Sequence, residues 1–67
     1  MKRVSGKQLA RILVKKGWTL HHTRGSHHYY LKDGRLVTVP IHSGTSPLKP
    51  TTQKSIMKQA GLTEADL

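Results

Sequence analysis

Apolar residues recur at helical spacing near the start of the chain: Leu9, Ile12 and Leu13 follow an i, i+3, i+4 step, with Lys16 at the solvent edge of the stripe. Ser5 precedes them with Gln8 three positions on, the spacing at which each side chain satisfies the other's backbone amide. Together they predict a first helix that starts at Ser5, ends near Lys16 and is closed by Gly17. Lys7, Arg11 and Lys15, four apart, form a basic line away from the apolar stripe. From Trp18 the period falls to two, with Trp18 and Leu20 alternating with Thr19 and His21, which predicts a strand over 18–23 and a turn at Arg24-Gly25. Residues 26–32 and 35–40 read as two further strands. Asp33-Gly34 between them suits a type I′ hairpin, whose two central residues both need positive φ. Pro40 marks the end of ladder pairing or an edge. Residues 41–49, with Ser43-Gly44-Thr45-Ser46-Pro47, read as a loop of the kind that carries function on small domains. A second helix starts at Pro50 or Thr51, presents Ile56, Met57 and Ala60, and stops at Gly61; Thr63-Glu64-Ala65-Asp66 offers one more turn. The order α-β-β-β-α predicts an α+β domain over 1–67, a three-stranded antiparallel sheet with two helices on one face.

Composition narrows what such a domain can do. Of 67 residues 34% are hydrophobic, enough for one modest core and no deep pocket for a large cofactor. Twelve Lys and Arg against three acids give a net charge of +9, which points to a polyanionic partner. The cations run from Lys2 to Lys58 instead of massing in a tail, so they belong to the faces of a folded domain. The absence of Cys excludes a disulfide framework and thiolate metal sites, and fits a reducing cytosol. Met1-Lys2-Arg3 is basic, but Ser5-Gly6-Lys7-Gln8 follows where a secretory leader needs an apolar stretch, and nothing approaches the roughly 20 apolar residues of a spanning helix. These features lead us to expect a cytoplasmic protein with no membrane association.

All five histidines, His21, His22, His27, His28 and His42, fall within one third of the chain. Imidazole titrates near pH 6.5 and so donates and accepts protons near neutrality. RNA cleavage suits that supply, because the ribose 2′-hydroxyl is a built-in nucleophile: the protein has only to move protons and offset phosphorane charge with Lys or Arg. Neither metal nor cofactor is called for. His-His-x4-His-His is a poor zinc frame, since neighbours on a strand face opposite ways and few carboxylates are available to support the ion. The same alternation separates His27, with Tyr29 and Leu31, from His28, with Ser26, Tyr30 and Lys32. His27 follows Arg24-Gly25-Ser26, where the glycine lets the backbone bend and a phosphate approach. Trp18 is expected in the core. One of Tyr29 and Tyr30 is expected there too, leaving the other free to stack on a base.

Gly17-Trp18, Gly25-Ser26-His27-His28, Val37-Thr38-Val39-Pro40 with His42, and Leu48-Lys49-Pro50-Thr51 followed by Lys54-x-Ile56-Met57-Lys58-Gln59-Ala60-Gly61-Leu62 stand in one order and spacing. Over residues 5 to 62 the chain resembles the HicA (YcfA-like) toxins of bacterial and archaeal toxin–antitoxin systems. The resemblance implies a fold like that of double-stranded-RNA-binding domains, an mRNA interferase that blocks growth, and a HicB antitoxin that binds the toxin and covers its active site. It also implies that the histidine directly after Gly-Ser, here His27, is catalytic. The family's mechanism is usually told with a single essential histidine.

On this reading His27 is the general base, His42 an accessory group that positions substrate, and Arg24, Lys32, Arg35, Lys49, Lys54 and Lys58 the pool of phosphate contacts. The partners expected are mRNA and an acidic-faced HicB-type antitoxin, with any larger assembly formed through the toxin–antitoxin complex. The competing reading is a non-catalytic RNA-binding module of the same fold, recognising A-form geometry through phosphates and 2′-hydroxyls. A third is a structural protein whose basic surface serves only an acidic partner.

Overall fold

The computed structural model describes residues 1–42 and 44–67, and its first helix, α1 (Gly6–Lys15), starts at the reciprocal pair that the sequence predicts. The Gln8 backbone N–H donates to the Ser5 hydroxyl at 3.2 Å, and the Ser5 N–H donates to the Gln8 side-chain oxygen at 2.9 Å. Leu9, Ala10 and Leu13 are buried, while Lys7, Arg11 and Lys15 face water. The helix closes through Lys16 and Gly17, and the Trp18 N–H returns to the Leu13 carbonyl at 3.0 Å, driving the indole into the core.

That bond explains why the first strand, β1 (Thr19–Arg24), begins one residue later than alternation suggests. The turn correspondingly lies at Gly25-Ser26 rather than Arg24-Gly25, with Gly25 at φ +56°. The sheet continues through β2 (His27–Lys32) and β3 (Arg35–Pro40) in the antiparallel order β1-β2-β3. Asp33 and Gly34, at φ +50° and +75°, make the predicted hairpin turn. Of the register pairs, Tyr30 with Val37 and His28 with Val39 face the helices, whereas Tyr29 with Thr38 and Leu31 with Leu36 lie on the other face. That second face has no layer over it, and Leu36 is half exposed there. Tyr30 is the core tyrosine, and burial pushes its phenol up.

The second helix, α2 (Pro50–Ala60), ends at Gly61 in the left-handed region, and a 3-10 turn over Glu64–Asp66 follows. Ser43, within the loop expected over 41–49, lies outside the described residues. No helix among the described residues is long and apolar enough to cross a membrane.

The two helices run in the same direction, and named contacts at each end hold them so. At one end Gly6 is packed so tightly on β3 that a Cβ there would collide with the Pro40 carbonyl oxygen. Beside it the Leu48 N–H donates to the Val4 carbonyl at 2.9 Å, and Arg3 donates twice to the Leu48 carbonyl. Gln53, fully buried on α2, accepts from the Val4 N–H at 3.0 Å and donates to the Lys2 carbonyl at 2.7 Å. At the other end Lys32 donates to the Lys16 carbonyl and Arg35 to the Gln59 carbonyl, each at 2.6 Å. Each cation therefore meets the negative end of a helix.

Replacing Gln53 by Leu keeps the volume but strands the buried Val4 N–H, at about 1–3 kcal/mol, and takes a donor from the part-buried Lys2 carbonyl. We expect Gln53→Leu to lower Tm by about 10 °C or more. Gln59→Leu, on the exposed side of the same helix, should move it by only a degree or two. Equal shifts in thermal melts of the two variants would refute the clasp.

Candidate active site

His27 opens β2 and is exposed on the face that no helix covers. Its register partners are Arg24 on β1 and Pro40 on β3. Arg24 stands there because of a one-residue bulge in β1. Leu20 pairs with Tyr30, but His22, not His21, pairs with Tyr29. An unbroken ladder from Leu20 would bring Thr23 opposite His27; the additional residue brings Arg24 instead. It also carries His22 onto the open face, where its ring stacks on Tyr29 at 4.2 Å with planes 5° apart. His21 is left at the bulge, its Nδ1 2.7 Å from that of His22. His28 points the other way and is half buried, with Nδ1 3.4 Å from the Ser26 carbonyl oxygen.

Past β3 the Ile41 N–H donates to the Ser26 carbonyl at 2.7 Å, so the chain stays beside the start of β2 as it leaves for His42. His42 lines a partly enclosed cavity of about 350 Å³ at this end of the molecule, together with Gly6, Pro40, Ser46, Lys49 and Thr52. His27 and His42 thus share one end of the sheet but different surfaces: His27 the open face, His42 the cavity. Both helices begin here, so the positive ends of both dipoles face the same region. Among the described residues no side chain caps the first turn of α2, which leaves its early amides available to an anion.

The cations of the sequence reading divide. Arg24 and Lys49 belong to the His27 end. Lys32 and Arg35 pair with each other at the opposite end, five residue steps or roughly 16 Å along the strands, where they cap helix carbonyls. Lys54 and Lys58 are exposed on α2 beside a shallower hollow that also contains Met57, Leu62 and Glu64. The acids stay clear of His27. Asp33 is in the far turn, and Asp66 is tied to Lys16 at 2.7 Å, a bond that holds its carboxyl below the usual aspartate range. None of the residues lining the cavity or paired with His27 is acidic.

Gln53 and the bulge escaped the sequence reading. Gln53 carries a signal in retrospect, since it lies three residues before Ile56 and so inside the apolar stripe of α2. For the bulge, two adjacent histidines in a six-residue strand offer no comparable signal.

A family model described as the HicA toxin of bacterial toxin-antitoxin matches residues 6–62, most of the chain. A search among curated proteins finds no match.

The division of the cations has a measurable consequence. Lys32→Met and Arg35→Met should each cost about 0.5–1 kcal/mol, a Tm fall of a few degrees, with little change in RNA affinity. Arg24→Ala and Lys49→Ala should leave Tm unchanged and weaken RNA binding. Melts and filter binding on the four proteins would expose the opposite pattern.

Proposed function

The chain belongs to the HicA toxin family, and on that premise we propose that it is an endoribonuclease that cleaves mRNA, with His27 moving the proton and no metal taking part. His27 accepts the proton of a ribose 2′-hydroxyl while the 2′-oxygen attacks the adjacent phosphorus. The bond from phosphorus to the 5′-oxygen breaks, that oxygen takes a proton from water, and His27 returns its own proton to the solvent, giving a 2′,3′-cyclic phosphate and a 5′-hydroxyl. Arg24, opposite His27, offsets the charge that builds on the phosphorane oxygens. His42 positions the strand from its side of the sheet end, and Lys49, Lys54 and Lys58 hold phosphates farther along.

The observation that carries this reading is an exposed histidine with an arginine opposite it on the neighbouring strand, at an end of the molecule where two helices begin and the adjoining described residues include no acid. An RNA-binding module would need the cations but would have no use for an imidazole held there.

The family is one of toxins paired with antitoxins, so an antitoxin partner is implied. We assign that role to a HicB-type protein with an acidic face, which complements a chain of net charge +9.

The test is cleavage of a long single-stranded transcript by purified protein with EDTA present. Wild type should cut it and leave 2′,3′-cyclic phosphate ends. His27→Ala should lose about 10²–10⁴-fold in rate and still bind RNA in a salt-dependent way. Ends carrying a 5′-phosphate would refute the mechanism. If neither protein cuts while both bind, the chain is a binding module.

A further inference from the structure

The cavity between the starts of the two helices has no part in the proton transfer described above. We propose that it is the subsite that receives one nucleobase next to the scissile phosphate and gives cleavage its base preference. This rests on the ribonuclease reading and names the part of the substrate that is recognised.

Size is the first argument. At about 350 Å³ the cavity lies near the lower bound of sites that enclose small molecules, which suits a single nucleoside. Its lining is the second. Pro40, Pro47 and Leu48 provide apolar walls for the faces of a base, while His42, Ser46 and Thr52 provide donors and acceptors for its edge. Lys49 is the cation of the lining, suited to a neighbouring phosphate. The floor is firm, because Gly6 rests against the Pro40 carbonyl with no room for a side chain. Position is the third. Pro40 is the register partner of His27, so the backbone of the cavity wall runs beside the backbone of His27, about 5 Å away, at the end of the sheet. An RNA strand leaving the cavity has to turn round this end of the sheet to bring its next phosphate to the open face where His27 stands.

The hollow beside Lys54 and Lys58 does not compete. It is more open, has no histidine, and is lined by neither register partner of His27. A base can enter the cavity only when unstacked and unpaired, so the proposal also commits the substrate to single-stranded RNA, in contrast to the duplex reading of a double-stranded-RNA-binding domain.

The experiment titrates isotopically labelled His27→Ala protein with the four 3′-mononucleotides and follows backbone amides by NMR. We expect shifts at Gly6, His42, Ser46 and Thr52, and a preference of about tenfold for one base over the weakest. In an otherwise wild-type chain, Ser46→Phe fills the cavity from the loop side. It should keep the melting temperature, still cut RNA, and lose the base preference at the cleavage sites. Should Ser46→Phe not fold, Thr52→Leu makes the same test from the helix side.

The proposal is overturned if nucleotides shift only Arg24, Lys54 or Lys58, or if the filled variant cuts the same sites in the same proportions. In that case cleavage by wild type still supports the ribonuclease reading. Cavity shifts without any RNA cleavage by wild type would instead refute the ribonuclease reading and leave a nucleotide-binding cavity.

Discussion

A single buried amide, that of Gln53, joins the segment before α1 to the middle of α2 by one accepted and one donated hydrogen bond. The side-by-side placement of the two helix starts depends on this clasp. With the Leu48 to Val4 bond it holds the approaches to both helices side by side, so the helices start together and run in parallel. Parallel helices have parallel dipoles, and here both positive ends meet at the mouth of the sheet where His27 stands. An apolar residue at position 53 would have served the core equally well in volume. What the amide adds is a partner for the buried Val4 N–H and, through its other end, a second tie to the Lys2 carbonyl.

The same economy governs the charges. Arg3, Lys16, Lys32 and Arg35 are engaged in the fold, satisfying helix carbonyls, a loop carbonyl and the carboxylate of Asp66. Lys7, Arg11 and Lys15 on α1, with Arg24, Lys49, Lys54 and Lys58, are left on the surface. A net charge of +9 on so small a body is therefore partly tied into the scaffold and partly left on the surface. A partner that met the second group with acidic residues would relieve their mutual repulsion and so couple its binding to the stability of the fold.

Much of this was legible in the sequence, because local chemistry settles most of it. The Ser5-Gln8 cap, the Asp33-Gly34 turn and the Pro50 to Gly61 helix each depend on a few adjacent residues, and each is where the pattern puts it. The inward Tyr30 and outward His27 follow from alternation within β2. What could not be read depends on residues far apart in the chain. The Gln53 clasp spans 49 positions to Val4, and the capping tasks of Lys32 and Arg35 become visible only once the sheet end lies beneath the helix ends. Arg24 opposite His27 depends on a strand that carries one residue more than its partner.

That extra residue also bears on how the protein keeps company with other chains. Every residue of β1 is exposed, and its outer rim carries peptide groups that no strand of the sheet covers. A straight rim of this kind is a template on which a second molecule can lay a strand, and a growing stack can follow. The kink at His21 breaks the even spacing of those groups and adds twist, so an incoming strand loses its register midway. The irregularity that sets Arg24 opposite His27 thus also blunts the β1 rim of a very basic, thinly cored protein as a template for a second copy.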